Sequence, residues 1–230
     1  MSTTVEQARK LNDTALTIDM HTHGLSIVPR WLRTLGAKTI DMQSEPLSQL
    51  PKGKVNLAIV TAVGDALLGT AWRLRSPWNG VKAQLELARA EASAAGIAVV
   101  ETVEQIEAGD TATVMLGVEG ADVVGAQPDR LIDLHRMGVR VLGLVHYADN
   151  ALGTIGTSVT GSRGSRAVRA GRYSSGLTAL GKEVVAEANR LGMLIDLAHA
   201  DAPTTLAVCD QTSAPVVSSH TGALAVHEFP

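Results

Sequence analysis

The chain has 230 residues, of which 45% are hydrophobic and 19% are charged, and its formal net charge is −3. This length accommodates one large domain with a substantial core. The charge is too small, and lysine and arginine too dispersed, to indicate nucleic acid or an anionic membrane as a partner. Cys209 is the only cysteine, which excludes an intrachain disulfide and a thiolate zinc site. We expect its thiol to be buried and inert.

The amino-terminal segment gives no sign of export. Residues 1–16 are polar and lack the apolar region of a secretory signal. No stretch reaches the roughly 18 apolar residues that a transmembrane helix needs. We therefore expect a soluble, cytoplasmic protein.

Short apolar runs alternate with longer amphipathic ones along the chain. The apolar runs predict strands at 16–23, 55–63, 113–120, 139–148, 193–200 and 215–222. The amphipathic runs predict helices at 81–96, 129–138, 177–192 and 202–212. The strands are almost continuously apolar, as parallel strands covered on both faces are. This alternation of strand and helix predicts an α/β fold with a parallel sheet, in a single domain that spans residues 1–230.

Residues 151–176 are rich in glycine, serine and arginine and separate two of these units. Such a composition is typical of a solvated loop. It also suits an active-site loop whose arginines attract a carboxylate. The sequence leaves both interpretations open.

Five of the seven histidines fall at the carboxyl ends of predicted strands, where the chemistry of parallel α/β proteins lies. A glutamate ends the 113–120 strand in the same way. These residues are His21, His23, Glu119, His146, His199 and His220. Random placement would scatter histidines over helices and loops. The other two histidines, His135 and His227, lie in a helix pattern and near the chain end, and we expect them to be structural or exposed.

The strand-end residues are the ligand types that Zn²⁺ accepts. His21 and His23 are two residues apart, so in a strand they project from the same face about 6–7 Å apart. A lone strand-end histidine is commonly structural, but the set together favours a two-metal site. We expect one ion to bind His21 and His23, the other His199 and His220, and Glu119 to bridge them. Such a pair of ions activates water for hydrolysis.

Five segments carry a resemblance to a known family. They are "IDMHTHG" (18–24), "LGVEGAD" (116–122), "GVRVLGLVHYADN" (138–150), "GLTALGKEVVAEANRLGMLIDLAHAD" (176–201) and "APVVSSHTGALAV" (214–226). In this order they resemble the renal (membrane) dipeptidase family, zinc peptidases of the amidohydrolase-like TIM barrels. The resemblance implies a (β/α)8 barrel, two zinc ions, a homodimer and hydrolysis of dipeptides by a zinc-activated hydroxide. It makes His146 the residue that binds the substrate and stabilises the oxyanion.

Two features depart from the family pattern. The family has His-x-Asp where this chain has His21 and His23, which is the arrangement of the wider amidohydrolase superfamily. The family also has a substrate-binding arginine and a proton-transferring aspartate after the last metal histidine, and neither has a counterpart here. Arg163, Arg166, Arg169 and Arg172 of the 151–176 segment are not assumed to replace that arginine.

Six strands are fewer than the eight that close a barrel, and 230 residues are fewer than the usual number of about 250. We therefore expect a barrel truncated after about six βα units, C-terminally incomplete, or a chain that folds only by association. The first functional hypothesis is a zinc-dependent dipeptidase, and whether this truncated form is active is left open. The alternatives are another amidohydrolase-type activity (lactonase, deaminase or N-acyl amino acid hydrolase) and an inactive metal-binding fragment.

Overall fold

A computed structural model of the chain describes residues 3–24, 46–65, 76–106, 111–125, 127–157 and 175–222. The strands are β1 (Ile18–Thr22), β2 (Leu57–Val63), β3 (Ala98–Val99), β4 (Thr113–Glu119), β5 (Val139–Gly143), β6 (Leu194–Asp196) and β7 (Val216–Val217). The α-helices are α1 (Thr3–Thr14), α2 (Pro77–Ala94), α3 (Asp129–Arg136), α4 (Ala179–Leu191) and α5 (Ala202–Gln211). Short 3-10 turns lie at Leu47–Gln49, Val103–Gln105 and Ala121–Val123.

The strands form one sheet in the order β1-β2-β4-β5-β6-β7, and β3 pairs with the beginning of β4. Every pairing between these strands is parallel. The spatial order follows the chain order, as it does in a (β/α)8 barrel. The predicted α/β fold with a parallel sheet is therefore confirmed.

The sheet is curled rather than flat. In a flat sheet, strands spaced by about 4.8 Å would place β1 and β7 roughly 24 Å apart. The rings of His21 in β1 and His220 just after β7 nevertheless have centroids only 4.1 Å apart. The two outer strands must curve toward each other at their carboxyl ends, so the described sheet forms a partial barrel.

The two faces of the sheet bury different side chains. Ala58, Val60 and Ala62 of β2 pack with residues of α2, α3, α4 and α5 in the larger core cluster. Leu57 and Ile59 point to the opposite face and form a second cluster with Val100 and Val141, to which no described helix contributes. All helices of the core therefore cover one face, as in a barrel. Burial on both faces explains why β2 is apolar at nearly every position.

The six predicted strands and the four predicted helices are all present, with shifted boundaries. β5 ends at Gly143 instead of continuing to residue 148, and α2 begins four residues early. The early start has a local cause, because the Ser76 side chain accepts a hydrogen bond from the Asn79 amide and Pro77 takes the first helical position. The sequence analysis missed α1 and the two-residue strand β3.

The expectation for Cys209 was wrong, because its side chain is exposed. α5 buries Thr204 and Val208, and the residue after Val208 is rotated by about 100° away from that face. Among the described residues, no helix has both the length and the apolar character to cross a bilayer. Most of the 151–176 segment, including its arginines, lies outside the described residues.

Replacing Gly181 with alanine tests how tightly α4 packs on its neighbouring loop. In an isolated helix, alanine would be favoured over glycine by about 1 kcal/mol. Here the new Cβ would lie 2.2 Å from the Leu152 carbonyl oxygen, and such overpacking costs about 1–3 kcal/mol. We expect a lower free energy of unfolding in urea. Gly53→Ala is the control, since its Cβ would meet nothing closer than 3.6 Å. A stabilised Gly181→Ala variant would contradict this packing.

Candidate metal centre

Glu119 is the last residue of β4 and lies at the centre of a ring of imidazoles. Its side chain is only 6% exposed. Five histidines direct Nε2 toward its carboxylate. The distances to Glu119 Oε1 are 3.6 Å from His21, 3.1 Å from His199 and 3.3 Å from His220, and those to Oε2 are 3.5 Å from His23 and 3.6 Å from His146. One carboxylate thus contacts residues spread over 200 positions of the chain.

Parallel pairing explains why these residues meet. His21 lies in β1, and the other four histidines follow β1, β5, β6 and β7 within three residues. Because all these strands run in one direction, their carboxyl ends lie at one rim of the sheet. The curvature of the sheet then brings the two outer strands close enough for the rings of His21 and His220 to be in contact, at an interplanar angle of 37°.

Hydrogen bonds fix which ring nitrogen of two histidines carries the proton. His23 Nδ1 lies 3.0 Å from the Thr61 carbonyl oxygen, which can only accept, so Nδ1 donates. The Ser219 hydroxyl donates to Asp196 Oδ2 and therefore accepts from His220 Nδ1, at 2.8 Å. In both rings the proton on Nδ1 leaves the Nε2 lone pair directed at the centre. Metal-binding histidines in proteins are commonly held in this way.

The Nε2 atoms also approach one another closely. They are 3.3 Å apart for His21 and His23, and 2.8 Å apart for His199 and His220. Two lone pairs at such distances repel unless a proton or a cation lies between them. Two sets of three side chains have ligand atoms within 4.8 Å of one another: His21, Glu119 and His220, and Glu119, His146 and His199.

Burial and charge set the protonation states that metal binding requires. Burial lowers the pKa of His21 to about 4 and also lowers the pKa of His23. Burial alone would raise the pKa of Glu119, but hydrogen bonding to His199 and His220 outweighs it and holds that pKa well below its usual range. The hydrogen bond to Glu119 raises the pKa of His220. The centre therefore offers an ionised carboxylate beside two histidines, His21 and His23, that favour the neutral form in which metal ligands bind, whereas His220 would give up its Nε2 proton on binding a metal.

Two buried polar atoms lack a hydrogen-bond partner among the described residues, and both belong to this centre. They are Glu119 Oε2 and His21 Nδ1. A buried carboxylate oxygen without a partner is costly, and a cation beside Glu119 would remove that cost. The imidazole and carboxylate donors are those that zinc prefers. The residues present therefore fit a metal centre.

The backbone next to the centre adopts conformations that are unusual for their residue types. His199 has φ +66°, although residues with a side chain rarely occupy this region. Strain of this kind concentrates at functional sites. Gly120 has φ +82°, and a Cβ there would lie 3.1 Å from the Cβ of His146. A glycine after Glu119 thus lets His146 approach the carboxylate.

The structure brings together all six site residues predicted from the sequence. Their assignment to two separate ions stays a prediction, and the two close sets of three divide the ligands differently from the predicted pairs. His135 lies on α3, partly buried, and its carbonyl oxygen accepts a hydrogen bond from Arg140. His227 lies outside the described residues.

Sequence reasoning missed the polar residues that support the histidines. Asp65 Oδ2 lies 2.5 Å from His146 Nδ1, and Tyr147 stacks on the His146 ring with centroids 3.9 Å apart. Asn150 donates to Asp122 Oδ2 at 3.1 Å. A signal for Asp65 existed in the sequence, since it follows the end of an apolar strand just as the histidines do. The other contacts join residues in loops, which no periodic pattern marks.

Comparisons with known proteins identify a family and a fold. A family model described as membrane dipeptidase (peptidase family M19) matches residues 5–230. An uncharacterised dipeptidase of Schizosaccharomyces pombe is 33% identical over 116 residues, and the dipeptidase verJ of Clonostachys rogersoniana is 32% identical over 116 residues. Both alignments cover 50% of this chain, but 26% and 27% of those relatives. The chain thus matches about a quarter of the length of either relative.

Solved structures share the fold at low sequence identity. The probable dipeptidase PvdM from Pseudomonas aeruginosa superposes with a TM-score of 0.73 at 16% identity, over 97% of this chain and 56% of that one. A metallopeptidase from Rhodobacter sphaeroides, solved with a phosphinate mimic of the dipeptide L-Ala-D-Ala, gives 0.68 at 21% identity, over 93% and 67%. Similarity at these identities establishes the fold.

Zinc should stabilise the folded chain through Glu119. A ligand present at 100 times its dissociation constant stabilises by about 2.7 kcal/mol, or roughly 5–10 °C in Tm for a chain of this size. We expect this rise on adding zinc and its reversal by a chelator. Glu119→Gln should abolish the shift and lower the zinc content measured by mass spectrometry. The exposed Glu86→Gln is the matched control. An undiminished shift in Glu119→Gln would refute the role of this carboxylate.

Asp122 should make the metal-free chain less stable at neutral pH. Burial raises its pKa from 3.8 to about 6, so the folded state binds its proton more tightly than the unfolded state does. The contribution of Asp122 to wild-type stability therefore falls as the pH rises from about 4 to 6, and the loss persists above that. We expect Asp122→Asn to be more stable by about 1–2 kcal/mol at pH 7.5, with little difference at pH 4. Urea unfolding with a chelator present measures both, and an equal gain at both pH values would contradict the cause.

Proposed function

The chain belongs to the membrane dipeptidase family, peptidase family M19, and we propose that it is a metal-dependent hydrolase that cleaves dipeptides at the Glu119 centre. The observation that carries this proposal is the convergence of five imidazole Nε2 atoms on one buried carboxylate. Family membership supplies the reaction class, and the geometry supplies the site. Because the chain matches only about a quarter of the length of the curated relatives, their activity does not establish the activity of this chain.

We assign two zinc ions to the centre, with Glu119 between them. His21 and His23 would hold one ion, and His199 and His220 the other. Two such ions, when bound, supply polarisation of the scissile carbonyl and a nucleophile at neutral pH. Glu119 Oε2, which has no hydrogen-bond partner among the described residues, and the close pairs of Nε2 atoms support this assignment. The choice of zinc as the metal rests on the imidazole and carboxylate donors and on the family.

The protein side chains prepare this centre before the substrate arrives. The low pKa of Glu119 keeps it ionised, so both carboxylate oxygens can bind cations. The hydrogen bonds of His23 to Thr61 and of His220 to Ser219 hold these rings with Nε2 inward. Such preorganisation removes the cost of reorienting ligands during the reaction.

His146 would act on the substrate rather than serve as a primary ligand. Its Nε2 lies 3.6 Å from Glu119 Oε2, so it faces the position of a scissile carbonyl held at the centre. A proton on this nitrogen would be donated to the oxygen on which negative charge develops. One preorganised donor of this kind contributes about 3–4 kcal/mol to transition-state stabilisation.

A second candidate function follows from the His21 and His23 pair. Where the dipeptidase family has an aspartate, His23 makes this centre less anionic by one charge. That pair is typical of the wider amidohydrolase superfamily, so a lactonase, deaminase or N-acyl amino acid hydrolase is the alternative. Binding of zinc without turnover would identify the chain as a metal-binding but inactive form.

Three further assignments extend the proposal. We place the chain in the cytoplasm as a homodimer, on the family resemblance and the composition. We treat residues 1–230 as one domain, because the larger core cluster joins strands and helices from β2 to α5. The ligand of the Rhodobacter sphaeroides metallopeptidase suggests that L-Ala-D-Ala should be included among the substrates tested.

A substrate panel tests the proposed function. The zinc-loaded chain should hydrolyse unblocked dipeptides, including L-Ala-D-Ala, with release of both amino acids measured by mass spectrometry. Glu119→Gln should reduce the rate at least 100-fold, because the bridging carboxylate is lost, while Glu86→Gln should match the wild type. N-acyl amino acids and lactones complete the panel. Turnover of one of these instead of dipeptides would favour the alternative, and zinc binding with no turnover at all would sink the hydrolase assignment.

A further inference from the structure

The buried acidic residue Asp65 is neither a proposed metal ligand nor a residue that acts on the substrate. It lies two residues beyond β2 and is 0% exposed. Its Oδ2 atom is 2.5 Å from His146 Nδ1, across 81 positions of the chain. A carboxylate in such surroundings is costly unless it is paired. The contact therefore gives both groups a partner and ties the end of β2 to the loop after β5.

Glycines on neighbouring strands make this contact possible. The Gly64 amide donates to the Glu119 carbonyl oxygen at 2.8 Å, and a Cβ on Gly64 would lie 2.1 Å from the Gly120 carbonyl oxygen. A Cβ on Gly120 would lie 3.3 Å from the Asp65 amide nitrogen. Residues 64 and 120 must both be small for the backbone before Asp65 to reach the metal centre. The packing around Asp65 is thus continuous with the packing around Glu119.

We propose that Asp65 is the positioning residue for His146. An ionised carboxylate can only accept hydrogen bonds, so the proton of the contact lies on His146 Nδ1. This contact sets the orientation of the ring and turns Nε2 toward Glu119 Oε2 and the substrate. With Nδ1–H held by Asp65, Nε2 donates to the substrate when the ring carries a second proton, and the Asp65 carboxylate then balances the charge of the ring. Tyr147 stacks on the same ring and holds its plane. The inference rests on the proposed function for its catalytic consequence, but the tautomer of His146 is a property of the protein alone.

The orientation matters because an imidazole can be held in two ways. Without an acceptor at Nδ1, the ring could rotate and turn Nε2 away from Glu119 and the substrate. A donor or base that is wrongly oriented loses most of its effect on the transition state. Loss of a carboxylate that orients a histidine in this way typically costs 10- to 100-fold in activity or metal affinity. Asp65 thus gives His146 a fixed working nitrogen.

Two measurements on the 230-residue chain test this role. Long-range proton–nitrogen NMR of ¹⁵N-histidine protein reports which ring nitrogen of His146 is protonated, and loss of its signals in His146→Ala identifies the ring. We expect protonated Nδ1 in the wild type, with and without zinc, and a displaced Nδ1 proton signal in the isosteric Asp65→Asn. Once His146→Ala has identified the signals, the wild-type spectrum shows whether His146 Nδ1 is protonated even if Asp65→Asn does not fold. An unprotonated Nδ1 would overturn the proposal.

A double-mutant cycle tests whether Asp65 acts through His146. Asp65→Asn should lower kcat for dipeptide hydrolysis 10- to 100-fold with zinc content unchanged, and should cost less than twofold in the His146→Ala background. An equal loss in both backgrounds would show a purely structural role and refute the proposal. Thr113→Val is the matched control, because it removes another buried hydrogen bond, to the Asn56 carbonyl, at the opposite end of β4. It should change neither kcat nor the His146 spectrum.

The two proposals fail in different ways. A folded, zinc-loaded wild-type chain that cleaves no dipeptide refutes the proposed function, and the NMR measurement then decides the role of Asp65 by itself. Dipeptide turnover together with an unprotonated His146 Nδ1 refutes the role of Asp65 and leaves the hydrolase proposal intact.

Discussion

The structure around the candidate centre depends on one buried carboxylate. Glu119 is 6% exposed on its side chain and ionised, a state that is costly in a protein interior unless positive or hydrogen-bonding groups surround it. Five imidazoles do so, from both ends and the middle of the sheet. Without a cation, the hydrogen bonds from His199 and His220 reach only one carboxylate oxygen, and the other is left without a hydrogen-bond partner among the described residues. The metal-free protein therefore carries the free-energy cost of a buried, poorly satisfied carboxylate, which a bound metal ion would remove.

The curvature of the sheet is what makes this arrangement possible. Helices cover only one face, while the other face buries a small apolar cluster of its own. A sheet covered in this way closes toward the uncovered face, and its carboxyl ends converge. The strand-end histidines then lie around one point instead of along a line. Glycines at 64, 120 and 143 allow neighbouring backbones to approach closely, and a Cβ on Gly117 would crowd the Thr61 side chain.

Residues outside the proposed set of metal ligands hold the histidine rings in place. Thr61, Ser219 with Asp196, and Asp65 each contact the Nδ1 atom of a different histidine. Each contact turns Nε2 toward Glu119. Two of these groups are neutral, the Thr61 carbonyl and the Ser219 hydroxyl, whereas the Asp65 group is a carboxylate. That difference fits a division of work in which His23 and His220 hold ions and His146, beside the carboxylate, acts on the substrate.

The pattern of apolar and polar residues in the sequence was enough to predict six of the seven described strands, four of the five described α-helices and the six residues that meet at Glu119. Apolar runs marked the strands because both faces of strands such as β2 are buried, and polar residues after those runs marked the rim because parallel strands end at one edge. The same rule applied to Asp65, although the sequence analysis did not use it. The distances between these residues could not be predicted from the sequence. The tertiary structure was needed to show that the rings of His21 and His220 are in contact and that Gly64 and Gly120 allow Asp65 to contact His146, because both depend on how the sheet curves. It was also needed to show that Cys209 is exposed, because that depends on how α5 is rotated against the sheet.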